Sequence, residues 1–116
     1  MAAAVVVLCT APASSDRAGR LGAHELARAL VDERLCACVN VLPGVRSYFR
    51  WEGRVDAAFE LLLIAKTTAA AAAALRARIV ALHPYEVPEV LELAVGDGLP
   101  AYLRWLADAV GPTGDA

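Results

Sequence analysis

The spacing of apolar residues divides the chain into strands and helices. Runs rich in β-branched residues and leucine, typical of strands, cover residues 5–8, 36–51, 55–66 and 90–95. Apolar residues instead recur every three to four positions, as on one face of a helix, over residues 23–31, 75–82 and 99–110. The predicted order is β-α-β-β-α-β-α. This is an α+β, ferredoxin-like arrangement (β-α-β-β-α-β) with one further C-terminal helix.

Proline and glycine predict where these elements bend or end. Pro43 lacks a backbone donor and Gly44 tolerates unusual φ angles, so we expect the second strand to bulge there. Residues 52–54, Glu-Gly-Arg, are expected to form the turn of a hairpin. Pro84 is expected to end the second helix, because the residue before a proline is pushed out of the helical region.

Hydroxyl and carboxyl side chains predict where two helices begin. Ser14, Ser15 and Asp16 offer N-cap oxygens ahead of the first helix. Thr67 or Thr68 offers the same ahead of the second, which opens with six consecutive alanines.

Two strands are apolar on both faces. Residues 5–8 and 61–65 contain no polar side chain, although the exposed face of an antiparallel sheet normally alternates toward polar residues. The C-terminal helix is one candidate cover, but a single helix of about a dozen residues spans only part of a four-stranded sheet. We therefore expect the second face to pack against other subunits.

Length and charge limit the classes of function. The chain has 116 residues, which predicts one domain spanning residues 1–116, with residues 113–116 as a loose tail. Its formal net charge is −2 and its pI about 5.6. Such a chain lacks the basic surface expected of a nucleic-acid or anionic-membrane binder.

The cysteines and the N-terminus predict a cytoplasmic protein. Cys36 and Cys38 lie two apart in a predicted strand, where same-face neighbours stand too far apart for a disulfide, so reduced thiols are expected. The apolar run near the N-terminus has no preceding positive charge and is shorter than a membrane span. We interpret it as the first strand, with no targeting or transmembrane segment.

Five stretches occur in an order and at a spacing that resemble one family. They are VVVLCTAP (residues 5–12), ACVNVLPGVRSYFRWEG (37–53), ELLLIAKTT (60–68), HPYEVPE (83–89) and YLRWL (102–106). Together they resemble the CutA divalent-ion-tolerance family over roughly residues 4–110. The resemblance implies a ferredoxin-like homotrimer in which three sheets pack together. It also implies a role in tolerance of copper and other heavy metals.

The resemblance also implies a metal site. Its proposed copper ligands are a cysteine ending the first strand, here Cys9, and a histidine pair, whose second member is His83 and whose first position holds Leu82. A thiolate suits Cu(I), and an imidazole suits Cu(II) or zinc, so zinc stays compatible. Two other interpretations stay open. Cys9 can be a buried core residue, and His83 can be a helix C-terminal cap with a partly positive ring.

Other side chains leave two interpretations each. The aromatic residues Tyr48, Phe49, Trp51, Tyr85 and Trp105 can line a ligand pocket between subunits or simply pack. The charged residues Glu60, Lys66, Glu86 and Glu89 can form an interface rim or a small-ligand site.

No motif predicts catalysis. The sequence shows no recognisable arrangement of nucleophile, base and orienting group and no glycine-rich phosphate loop, so we expect a protein that is not an enzyme. Metal binding is the first hypothesis. A trimeric small-molecule sensor similar in architecture to the PII signalling proteins is the second, and a scaffold that docks partner proteins is the third.

Overall fold

The computed structural model describes residues 3–111. The elements are β1 (Ala4–Ala11), α1 (Ala23–Asp32), β2 (Cys38–Trp51), β3 (Arg54–Thr68), α2 (Ala72–Leu82), β4 (Leu91–Ala94) and α3 (Pro100–Ala109). The strands form one antiparallel sheet in the order β2-β3-β1-β4. The predicted ferredoxin-like order with an added C-terminal helix is confirmed. The loose tail predicted at residues 113–116 lies outside the described residues.

The first helix begins later than its predicted cap. Gly22 is the N-cap of α1 and no side chain caps it, so the prediction for Ser14, Ser15 and Asp16 was wrong. The Ala23 amide instead donates to the Pro12 carbonyl at 2.8 Å. The chain folds back so closely that a Cβ on Gly22 would lie 2.4 Å from the Ala13 carbonyl oxygen. Backbone packing places this helix start, so no capping side chain is needed.

The second helix also lacks a side-chain cap. Its N-cap is Ala71, and Thr68 Oγ1 accepts the Ala71 amide at 3.3 Å in the turn ahead of the helix. Thr67 is buried and donates to the Leu35 carbonyl at 2.8 Å. The threonines therefore position the turn and the strand end, and the predicted N-cap was wrong.

Helix α2 ends where Pro84 predicts, and two arginines bind the carbonyl groups at this end. His83, just before Pro84, has an extended backbone with ψ 142°. Arg20 Nη1 donates to the carbonyls of Val80 at 3.2 Å and of His83 at 2.8 Å. Arg17 Nη1 donates to the Pro84 carbonyl. These bonds satisfy carbonyls that a helix C-terminus leaves free.

The β2–β3 hairpin matches its prediction. The register shifts between Leu42 and Val45, as expected of a bulge at Pro43 and Gly44. Trp51 pairs with Arg54, and the two turn residues Glu52 and Gly53 have φ angles of 49° and 82°. Positive φ at both positions matches the right-handed twist of the flanking strands.

The two faces of the sheet differ in cover. On the helix face, residues such as Val7 and Leu63 pack with Leu26, Leu75 and Ile79 of α1 and α2, all at most 2% exposed. We call the opposite side the open face; its apolar members are Val6, Leu8, Leu42, Leu62, Ile64, Leu91 and Leu93. Helix α3 packs against β3 and β1, yet Leu42, Leu91 and Leu93 remain 42%, 56% and 51% exposed. One chain thus leaves much of the open face uncovered. Within residues 3–111 no helix combines the length and the apolar character needed to cross a membrane.

Candidate functional site

His83 lies at the corner where α2 ends against β1. Its side chain is fully buried, with Nε2 2.7 Å from the Thr10 carbonyl oxygen. Nδ1 accepts the Tyr85 amide at 3.0 Å, so the ring proton resides on Nε2 and is donated to Thr10. Burial lowers the pKa of His83, which keeps the ring neutral near pH 7.

This geometry corrects one interpretation of His83. The residue does occupy the C-cap position of α2, but its ring turns into the protein and is neutral. The helix carbonyls are instead bound by Arg20 and by the amide of Leu21, which donates to the Leu82 carbonyl at 2.8 Å. The hypothesis that His83 is a partly positive imidazole capping the helix dipole was therefore wrong.

Cys9 is a buried thiol on β1. It is 2% exposed and belongs to the apolar core of the helix face. Burial is the main cause that raises its pKa to about 12, and the negative charges of Glu89 and Glu60 add to the shift. The thiol is therefore protonated at neutral pH.

The structure brings the two predicted metal ligands to one corner. The His83 ring is bonded to Thr10, the residue next to Cys9. Leu82, which occupies the first position of the histidine pair implied by the resemblance, packs against the core. Residues 3–111 contain no cluster of three or more His, Cys, Asp or Glu side chains suited to a metal ion. One chain alone thus offers a pair of donors.

A buried acid and a phenol extend this corner. Tyr85 Oη donates to Glu60 Oε2 at 2.7 Å, and Glu60 is only 6% exposed. The Tyr85 ring also lies 4.7 Å from the His83 ring, centroid to centroid. Burial and the nearby carboxylate raise the pKa of Tyr85, so the phenol stays a donor. We call the chain of contacts from Thr10 through His83 and Tyr85 to Glu60 the His83 network.

The sequence did not reveal the His83 network. Its members are separated by up to 73 residues along the chain, as in the contact between Thr10 and His83. The one available indication was Glu60, a charge placed directly before an apolar strand.

A cleft opens beside this network, between the hairpin and the segment after α2. We call it the hairpin cleft; its volume is about 580 Å³ and its walls are Thr10, Ser47, Tyr48, Phe49, Arg50, Trp51, Glu60, Tyr85, Val87, Pro88 and Glu89. Volumes of this size are typical of small-molecule sites. Thr10 lies opposite Leu62 in the sheet, so the cleft sits at one end of the open face.

The hairpin cleft gathers most of the predicted aromatic residues and half of the charged ones. Trp105 lies apart on α3, with its ring 5.3 Å from that of Tyr102. Glu86 lines a second depression next to the cleft. Lys66 also lies elsewhere, bonded to Asn40 Oδ1 and 3.7 Å from Cys38 Sγ.

Comparison with known proteins gives consistent matches. The family model of the CutA1 divalent ion tolerance protein matches residues 5–109. The divalent-cation tolerance protein CutA of Thermus thermophilus is 46% identical over 106 residues, 91% of this chain and 97% of that protein. The Thermus structure superposes with a TM-score of 0.83 over 93% of this chain and 99% of its own.

Two further solved structures extend the comparison. CutA1 from Oryza sativa has a TM-score of 0.84 at 38% identity and covers 97% of both chains. The periplasmic divalent cation tolerance protein CutA from Archaeoglobus fulgidus has a TM-score of 0.81 at 32% identity, over 93% of this chain and 99% of that one.

Proposed function

The chain belongs to the CutA1 divalent ion tolerance family, and from that membership we propose that it works as a homotrimer that binds copper or a related metal ion. The observation that most supports assembly is the open face. Leu42, Leu91 and Leu93 remain about half exposed in one chain, a surface that water-exposed sheets normally avoid. Three copies sharing this face would bury it.

Metal binding is proposed at Cys9 and His83. In support, the His83 ring is bonded to Thr10, the residue after Cys9, and a thiolate with an imidazole suits Cu(I) or zinc. Binding a metal ion costs free energy at each of the two ligands. Cys9 must release a proton held with a pKa of about 12, and His83 must give up a hydrogen bond to Thr10 or Tyr85. We therefore expect binding to strengthen with pH and to release a proton.

Two donors leave the coordination shell incomplete, because a stable tetrahedral site needs four. The ion is thus proposed as cargo that is bound reversibly, with further ligands from solvent or from other subunits.

Calorimetric titration with Cu(I), Cu(II) and zinc tests this proposal. Cys36→Ala is a matched control, because Cys36 is also a buried thiol with its pKa raised to about 12. We expect Cys9→Ala to weaken Cu(I) binding at least about tenfold and Cys36→Ala to leave it unchanged. Equal affinities in all three proteins, or no binding by any, would overturn the metal proposal.

The role proposed is binding rather than catalysis. In the His83 network both ring nitrogens are bonded within the protein, so His83 offers no free base to a substrate. The location proposed is the cytoplasm, supported by three free thiols. Cell fractionation of the native protein tests this, since recovery in the periplasmic or secreted fraction would contradict it.

A small-ligand sensor is the second candidate, favoured by the hairpin cleft. Its volume and its mixture of aromatic and charged walls match ligand sites in general. A thermal-shift screen should find compounds that stabilise the folded protein, and a screen without any stabiliser would contradict this candidate.

A further inference from the structure

Glu60 lines the hairpin cleft, and one of its carboxylate oxygens has no hydrogen-bond partner within residues 3–111. Its Oε2 accepts the Tyr85 hydroxyl, whereas Oε1 has no hydrogen-bond partner within residues 3–111. In the same part of the chain every side-chain nitrogen or oxygen hidden from solvent has a partner, so Oε1 must touch solvent. Glu60 is only 6% exposed and lines the cleft, so we infer that its solvent contact lies on the cleft side. A buried carboxylate with one free oxygen favours a ligand that donates a hydrogen bond.

The surroundings of this oxygen are acidic. Glu60 and Glu89 line the hairpin cleft together with one cation, Arg50. The depression beside it adds Asp56 and Glu86 and shares the cleft's aromatic wall. The region thus holds four carboxylates against one guanidinium.

Aromatic rings form much of the remaining wall of the cleft. Phe49 and Trp51 are 40% and 53% exposed and line the cleft with Tyr85. The Tyr48 ring lies on the opposite face of the hairpin, 5.8 Å from the Arg46 guanidinium. Elsewhere on the same hairpin an aromatic face already takes a cation, since the Arg46 guanidinium lies 4.2 Å from the ring centroid of Phe59. Exposed aromatic faces beside carboxylates favour cations with an apolar body.

We propose that the hairpin cleft binds a small organic ammonium compound, a primary or secondary amine with an aromatic or alkyl body. An ammonium N–H donates to Glu60 Oε1 while the body packs along the aromatic wall near Trp51. A cleft of about 580 Å³ has room for such a molecule. The inference rests on the small-ligand candidate function. It does not depend on metal binding, because it uses neither Cys9 nor His83.

Calorimetric titration of the full chain with phenethylamine tests the proposal. Phenethyl alcohol keeps the body without the charge, and phenylacetate reverses the charge. We expect both to bind at least about tenfold more weakly than the amine, because each lacks the charged donor. Equal binding of amine and alcohol, or no binding of the amine, would overturn the proposal.

Two variants locate the amine. Glu60→Gln keeps an oxygen for the Tyr85 hydroxyl but removes the charge, and should weaken phenethylamine binding at least about tenfold. Glu25→Gln, an exposed change on α1, is the control and should bind as the wild type does. If Glu60→Gln fails to fold, Glu89→Gln at an exposed position removes another negative charge from the cleft. We expect it to weaken phenethylamine binding about two- to fivefold. Unchanged binding in these cleft variants would place the amine elsewhere and refute the assignment.

The metal and amine proposals fail separately. Cu(I) titration of Glu60→Gln should still show binding, and phenethylamine titration of Cys9→Ala should match the wild type. Loss of amine binding in Cys9→Ala would contradict the independence of the two sites.

Discussion

The two faces of the sheet are built from the same kinds of residue but end in different states. On β3, Leu63 points to the helices and is 1% exposed, while its neighbours Leu62 and Ile64 point to the open face and stay half-buried. At the edge of the open face Leu91 and Leu93 are more than half exposed. The helices cover one face within the chain, whereas a single chain leaves the other partly exposed.

Polar groups follow a different rule from apolar ones. At the end of the open face the His83 network gives both nitrogens of His83, the Tyr85 hydroxyl and Glu60 Oε2 hydrogen-bond partners within one chain, and leaves only the solvent-accessible Glu60 Oε1 without one. Across residues 3–111 no buried side-chain nitrogen or oxygen lacks a partner. An unpaired buried polar group destabilises every single chain, while exposed leucines are tolerated until subunits meet. A single chain therefore leaves apolar surface uncovered but not buried polar groups unpaired, as expected if the proposed trimer buries that surface.

The largest expected effect is on assembly. Leu93→Asp places a charge on the edge strand of the open face, where the proposed subunit contact would have to bury it, so the mass by light scattering should fall from three chains to one. Circular dichroism should still show a folded chain. Val80→Asp, at a similar 46% exposure on the outer side of α2, should leave the mass unchanged. A wild-type protein with the mass of one chain would remove the contrast between the faces.

Neighbouring residues on β3 sharpen the contrast in stability. Leu63→Ala should lower the free energy of unfolding by about 2–5 kcal/mol at any protein concentration, because it leaves a cavity within one chain. Ile64→Ala should cost less in dilute solution, with its effect appearing as a loss of the concentration dependence that assembly confers. Urea denaturation at several protein concentrations measures both. The same concentration dependence in the two variants would contradict a two-faced sheet.

Mutations in the His83 network should change the stability of the single chain, because its hydrogen bonds lie within that chain. Tyr85→Phe leaves Glu60 Oε2 without its donor and should lower the free energy of unfolding by about 1–3 kcal/mol, independently of protein concentration. Tyr48→Phe is the control, because Tyr48 is 72% exposed and its change should stay within about 0.5 kcal/mol. A cost for Tyr85→Phe that varies with protein concentration would assign this corner to the subunit interface instead.

The sequence predicted the elements well because their causes are local. The bulge at Gly44, the turn at Gly53 and the helix end at Pro84 each follow from what one residue permits. The failures involve partners distant in sequence. Serine, threonine and aspartate were expected to cap helices, but α1 begins where the chain packs back on Pro12, and α2 ends on the guanidinium of Arg20.

The site was only half predictable for the same reason. The resemblance indicated Cys9 and His83 as a metal site, which stays a prediction; the structure bonds the His83 ring to Thr10, the residue after Cys9. It could not indicate that both nitrogens of His83 are already bonded, since Thr10 belongs to another strand and the role of the Tyr85 amide depends on the ring's direction. Glu60 was recognised only as a charge in need of a partner, which proved to be Tyr85.

The smallest expected effect is a pH dependence of stability that arises from the buried His83. Burial lowers the pKa of His83 in the folded protein, so below the ordinary value of about 6.5 the unfolded chain binds a proton that the folded chain refuses. Stability should therefore be fully present above about pH 6.5 and fall as the pH drops below it, with a slope of at most about 1.4 kcal/mol per pH unit. Urea denaturation between about pH 5 and 8 measures the slope.

His83→Gln should flatten this slope whatever its effect on absolute stability, while His24→Gln, at an exposed position of α1, should keep the wild-type slope. Only a neutral, internally bonded ring predicts this pair of results. A partly positive ring, favoured in the folded state, would reverse the sign and make stability rise on acidification. Equal slopes in the two variants would show that His83 titrates alike in both states, and the polar corner would then no longer differ from the rest of the open face.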